Sequence, residues 1–130
     1  MNSTITADCT INSLTEEVIG CAIAVHRELG PGLLESVYES ALAVELSCHD
    51  IPFEQQKLLP IFYRDRHIGD FRIDMLISNQ LILELKSVER HDPLFEAQLL
   101  SYMKLGGIST GLLINFNSKL LKNGIKRMVL

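Results

Sequence analysis

Asp74, Glu84 and Lys86 are the residues of this chain whose types and spacing could do chemistry. They sit in two runs with the period-two alternation of strands. In residues 71–77, Phe71, Ile73, Met75 and Ile77 are apolar, while Arg72 and Asp74 share the other face with Leu76. In residues 81–87, Leu81, Leu83 and Leu85 are apolar, and Glu84 and Lys86 share a face with Ile82. A three-residue turn at Ser78-Asn79-Gln80 sets Ile77 against Leu81. Counting back then sets Asp74 against Glu84 and Arg72 against Lys86. A two-residue turn would send the two carboxylates to opposite faces.

Directly opposed side chains have Cβ atoms about 5 Å apart. Two carboxylates at that distance repel by about 3 kcal/mol at an effective dielectric near ~20. A divalent cation held by both offsets the repulsion, and Lys86 on the same face could then orient a water or meet a phosphate. A plainer reading stays open. The face could be an exposed one with scattered charge, and Lys86 simply a salt-bridge partner of Glu84 or Asp74.

The elements that must position these residues follow from period and punctuation. Residues 14–29 read as a helix with Ser13 and Glu16 as a capping box. Leu14, Val18, Cys21, Ala22, Val25 and Leu29 form its apolar stripe, and Gly30-Pro31-Gly32 ends it. A second helix is expected over 33–48, with Leu34, Val37, Tyr38, Ala41 and Leu42 inward. Strands are expected over 53–63, 67–77 and 81–88, with Asp65-Arg66 as the first turn. A third helix covers 93–105, capped by Asp92, opened by Pro93 and stopped by Gly106-Gly107. Gln98 and Tyr102 lie four apart on one of its faces. Residues 111–116 read as a buried strand, and Met128-Val129-Leu130 at the end of a basic tail leaves room for one more. The order α-α-β-β-β-α-β predicts an α/β fold with a mixed central sheet flanked by helices.

A length of 130 residues and 14.6 kDa suits one domain over residues 1–130. Hydrophobic content of 47% and mean hydropathy of +0.19 exclude a disordered chain. The net charge of −4 argues against a strong unaided grip on nucleic acid. That charge is uneven. Residues 1–50 hold eight acids and one base, whereas residues 51–130 hold eleven bases and eight acids. Cys9, Cys21 and Cys48 lack CxxC spacing, and His26, His49, His67 and His91 lack HxxxH spacing. Neither a disulfide framework nor a zinc knuckle is expected, so Cys21 reads as core and His26 as solvent-facing. The first ten residues carry no basic segment followed by an apolar one. Residues 18–25 fall far short of the roughly 20 that a membrane span needs. A soluble, cytoplasmic protein with no membrane partner is expected.

Asp74, followed ten residues later by Glu84-Leu85-Lys86, resembles the D…(D/E)-x-K signature of the PD-(D/E)XK nuclease superfamily. Gly32-Leu33-Leu34-Glu35-Ser36-Val37-Tyr38 resembles the Gly-x-x-Glu-x-x-Tyr string of the GxxExxY family, a branch of that superfamily. The resemblance runs from about residue 14 to the C-terminus and departs at Ile73-Asp74, where the superfamily has Pro-Asp. It implies a restriction-endonuclease-like core, α-β-β-β-α-β, with an extra N-terminal helix. It also implies that Asp74 and Glu84 hold Mg or Mn, with the Leu85 backbone carbonyl as a further oxygen and Glu35 as an extra acidic residue. Lys86 would position water or steady charge on phosphorus. Glu35 reads equally as a first-turn acid favoured by the helix dipole. Gln98 and Tyr102 resemble a Gln-x-x-x-Tyr element or are structural, and Arg72 is a candidate nucleic-acid contact. The activity implied is metal-dependent hydrolysis of phosphodiester bonds, in DNA more than RNA. A homodimer is compatible, since small nucleases of this type often pair. The alternative is a catalytically inactive nucleic-acid-binding or scaffold protein with the same fold. A third reading, in which the charged face is a protein interface, is weaker.

Overall fold

Helical periodicity runs further toward the N-terminus than the capping residues indicate. The computed structural model describes residues 3–130, with side chains from Thr10 onward, so the Cys9 side chain lies outside the described residues. The first helix, α1, spans Ser3–Leu29. Ser13 and Glu16 are therefore exposed residues inside the helix, not its cap. The reason is that Ile11 and Leu14 continue the stripe of Val18, Cys21 and Val25, and all five pack in one apolar cluster. The second helix, α2, spans Glu35–Cys48 with Leu34 as its N-cap. It buries Tyr38, Leu42 and Leu46, whereas Leu34 and Val37, expected inward, are exposed.

Five strands follow in one sheet: β1 (Phe53–Tyr63), β2 (Arg66–Ile77), β3 (Leu81–Lys86), β4 (Thr110–Asn115) and β5 (Ile125–Val129). The sheet order is β1-β2-β3-β4-β5, with only β3 and β4 parallel. The third helix, α3 (Pro93–Gly106), makes that parallel crossover. The Asp92 carboxylate accepts from Leu94 N–H at its start, and Gly107 ends it in the left-handed region at φ 68°. The mixed sheet, the helix order and the extra strand all agree with expectation. The first turn falls one residue earlier, at Arg64-Asp65, so Tyr63 pairs with Arg66.

Helices α1 and α2 cover one face of the sheet and α3 the other. Leu81, Leu83, Leu85, Leu112 and Ile114 point toward α1 and α2, while Ile82 and Leu113 pack with Leu99 and Met103 of α3. Strand β2 does not keep the alternation its sequence suggests. Phe71 and Ile73 lie on the α3 side, but Met75 and Ile77 lie on the α1/α2 side. The odd-numbered positions change face across Asp74. Opposite it in β1, Gln56 has a positive φ of 50° and both residues are missing from the ladder, although the register on either side is unchanged. The two strands kink together at this point.

The turn between α1 and α2 is held from below. Tyr38 is fully buried and stacks on Phe116, with ring centroids 4.4 Å apart and planes within 7°. Its hydroxyl donates to Gly30 C=O (2.5 Å) and accepts from Leu33 N–H (3.1 Å). Ser87 Oγ, just past β3, donates to Leu33 C=O (2.5 Å). The turn before Glu35 is thus tied to the end of the strand that carries Glu84 and Lys86. Removing one hydroxyl would leave two backbone groups short of a partner. Tyr38→Phe is expected to destabilise the protein by about 1–3 kcal/mol in urea unfolding, with the fold retained.

Candidate metal and catalytic site

The β2–β3 hairpin turns as expected. Ser78 and Asn79 both have positive φ, Gln80 N–H donates to Ile77 C=O (2.9 Å), and Ile77 opposes Leu81. The ladder continues through Leu76/Ile82 and Met75/Leu83 and stops there. The next pair would be Asp74 and Glu84. Instead of exchanging backbone bonds, the strands are wedged apart by their own side chains. Leu85 N–H donates to Asp74 Oδ2 (2.8 Å), and Asp74 N–H donates to Glu84 Oε1 (3.3 Å). The two carboxylates are cross-bonded across a notch in the sheet. A strand residue's N–H and C=O point to the same side, so the Leu85 carbonyl is turned toward β2, as its N–H is.

The notch is electrostatically uncomfortable without a cation. Glu84 is only 7% exposed. Burial first, and the neighbouring Asp74 second, push its carboxyl up to about 8. Lys86 and the Asp74 N–H act in the opposite direction but do not outweigh them. Burial and Asp74 thus favour the protonated form of Glu84 at neutral pH in the metal-free protein. Two hard carboxylate oxygens with unbalanced charge, beside a strand carbonyl, match the donor set of Mg²⁺ or Mn²⁺. The residues present fit such an ion.

Beyond the pair, α3 supplies the wall. Tyr102 stacks on Phe71 (4.7 Å between centroids), is hydrogen-bonded by Gln98 one turn away, and is close enough to feel Glu84 and Asp74. Desolvation and those charges raise its phenol above the ordinary value, so it stays a hydrogen-bond donor. Lys86 places its ammonium 4.6 Å from the centre of the Phe95 ring. It also lines a cleft of about 220 Å³ with Phe95, His91, Asn115 and Lys126. At the rim, Glu96 accepts from Lys126 (3.0 Å) and pairs with His91 (2.8 Å). Asn115, opposite Lys86 in the parallel ladder, brackets Val88 with both ends of its amide (3.1 and 3.0 Å).

Asp74, Glu84, Lys86, Tyr102 and Gln98 thus gather on the α3 side of the sheet. Glu35 stands exposed at the first position of α2, and Arg72 is exposed on β2. The pairing of Arg72 with Lys86 does not form, because the β2–β3 ladder ends at Met75/Leu83; on the other edge of β2, Arg72 pairs with Leu58. Sequence reasoning missed Phe95, His91 and Asn115, which come from α3, the loop before it and β4 and share no spacing, whereas the acid-free C-terminal run that includes Lys126 already offered lysines as phosphate contacts. It also placed His26 in solvent. The residue is buried, donating to the Ser118 carbonyl at 2.7 Å, because the segment after β4 folds over the end of α1.

A mixed sheet split by a carboxylate pair, with a lysine two residues on and helices on both faces, defines the restriction-endonuclease-like class of α/β folds. The sequence profile of the PD-(D/E)XK nuclease superfamily matches residues 12–128. The chain belongs to that superfamily, whose members generally use divalent metals and act on nucleic acids. No curated protein and no solved structure matches the chain. Among the described residues, no helix is long and apolar enough to cross a membrane.

Proposed function

We propose that the protein is a Mg²⁺- or Mn²⁺-dependent nuclease that hydrolyses phosphodiester bonds, in DNA in preference to RNA, through Asp74, Glu84 and Lys86. The observation that carries this reading is the notch: two carboxyl groups, Glu84 hindered from ionising by burial and by Asp74, cross-bonded where the β2–β3 ladder breaks. A divalent cation held there supplies positive charge against a phosphodiester and makes a water more acidic. Asp74 keeps its orientation through Leu85 N–H, and the Leu85 carbonyl offers a third oxygen. Glu84 releases its proton when a cation enters. Lys86, steadied over Phe95, orients the attacking water or stabilises charge on phosphorus, and the cleft beside it receives the backbone. Tyr102, held by Gln98, would offer its hydroxyl as a donor near the pair.

Glu35 would be an accessory acid, reaching the site from a turn tied to the end of β3. Arg72 would contact the nucleic-acid backbone. The string from Gly32 to Tyr38 favours the GxxExxY branch, and Tyr38 and Gly32, the latter at φ 95°, serve that turn. Free Cys21 and Cys48 suit a reducing, cytoplasmic setting. A homodimer would widen the surface that one small domain offers to a duplex.

The test is a panel of single-stranded, duplex and supercoiled DNA and of RNA, incubated with Mn²⁺ or Mg²⁺. Cleavage of at least one form, lost on chelation and in Asp74→Asn, is the expected result. A wild-type protein that cleaves none while binding one of them would instead be an inactive nucleic-acid-binding protein with this fold.

A further inference from the structure

A second cluster of ligating groups lies on the far side of the sheet, between α1 and α2. Glu17 and Cys21 are four apart on α1, and Glu45 and His49 are four apart on α2 and at its C-cap. Side chains with that spacing share a helix face, and the two helices turn back on each other through residues 30–34. Cys21 Sγ, a Glu45 carboxylate oxygen and a His49 ring nitrogen all lie within 4.8 Å of one another. His49 Nε2 is 3.9 Å from Glu45 Oε2, and its other nitrogen, Nδ1, is 3.8 Å from Glu17 Oε1. Cys21 is 1% exposed within the apolar cluster that also holds Val18, Val25, Leu42 and Leu46, while the acids and the imidazole are open to solvent.

We propose that Cys21, Glu45 and His49 form a zinc-binding site that clips α1 to α2, with Glu17 orienting the imidazole and a fourth position left to water. The donor types decide the metal. A thiolate and an imidazole are too soft for Mg²⁺ or Mn²⁺ and suit Zn²⁺, with bonds of about 2.0–2.3 Å. A tetrahedral shell with such bonds separates its ligand atoms by roughly 3.3–3.7 Å. The clustered atoms, which lie within 4.8 Å of one another, therefore need close by about 1.1–1.5 Å at most. One ring nitrogen toward the metal and the other donating to a carboxylate is the usual arrangement around a ligating histidine. Without a cation, a thiol beneath two carboxylates gains nothing electrostatically, and burial, Glu45 and Glu17 keep it protonated. The cluster faces away from the nuclease notch, so the two sites stand or fall separately.

The test uses full-length, reduced, metal-stripped protein carrying Asp74→Asn, which removes the first site from the measurement. Zn²⁺ is titrated in competition with a chromophoric chelator, and Co²⁺ is added as a spectroscopic probe. One Zn²⁺ per chain is expected, with thiolate-to-cobalt charge transfer in the near ultraviolet. His49→Ala, an exposed position that leaves the core intact, should weaken Zn²⁺ by at least tenfold, as should Cys21→Ala. Glu17→Gln should cost about tenfold. Cys48→Ser should leave affinity and spectrum unchanged. Absence of binding by the reduced protein would overturn the site. So would affinity insensitive to His49→Ala, or loss in Cys48→Ser, which would mean a surface chelate of Cys48 and His49 instead.

Discussion

Lys86→Ala should reduce phosphodiester cleavage by about 10²–10⁴-fold while Mn²⁺ affinity falls little. The lysine is not among the proposed oxygen donors. Its ammonium lies over Phe95 at the edge of the cleft and lowers the cost of ionising Glu84. Losing it removes a positive charge fixed beside the notch, which the transition state uses more than the resting state does. Lys86→Arg should recover part of the rate by restoring charge, though its planar group cannot occupy the same point over the ring. Cleavage assays and metal calorimetry on the same preparations separate the two effects. Equal losses of rate and of metal affinity would make Lys86 a support for the carboxylates and nothing more.

Glu84→Gln should stabilise the metal-free protein by a few kcal/mol at pH 8, and hardly at all near pH 4.5. The sign follows from the raised carboxyl. Below about 4.5 both folded and unfolded chains hold the proton, and the group has no effect on stability. Between 4.5 and about 8 the unfolded chain ionises freely while the folded one keeps its proton, so stability falls as pH rises. Above that, the folded protein carries a buried charge beside Asp74. Glutamine keeps the acceptor for Asp74 N–H and offers an amide to Asp74, without a charge to bury. Thermal unfolding from pH 4.5 to 8 should therefore diverge, with the variant ahead by roughly 10 °C at the upper end. Mn²⁺ should raise the wild type toward the variant and leave the variant almost unmoved. Parallel curves would mean that Glu84 is ionised and comfortable in the notch.

Much of the architecture is legible in the sequence because local chemistry and global fold agree. Asp92-Pro93 and Gly106-Gly107 bound α3 where capping demands, and Ser78-Asn79-Gln80 fixes the register that aims Asp74 at Glu84. The break at that pair is not legible. Strand alternation assumes an unbroken ladder, whereas here Gln56, with its positive φ, and the Asp74 side chain interrupt pairing on both edges of β2. The face then switches, so one apolar alternation in the sequence becomes two in space. Glu39 of α2 helps hold the kink, accepting from Gln55 and Gln56 at 2.9 and 2.6 Å, a contact no spacing reveals. The Cys21, Glu45 and His49 cluster was hidden for a similar reason. Searching for CxxC and HxxxH finds ligands within one element, whereas these meet across two helices.

The most direct test of the Asp74–Glu84 notch as a divalent-metal site is calorimetric titration of Mn²⁺ into the metal-free protein at pH 7, repeated in two buffers of different protonation enthalpy. Wild type should bind Mn²⁺ and release close to one proton per ion, the one Glu84 holds in its absence, and Asp74→Asn should lose both the binding and the release. Binding that Asp74→Asn leaves unchanged, or that releases no proton, would contradict it.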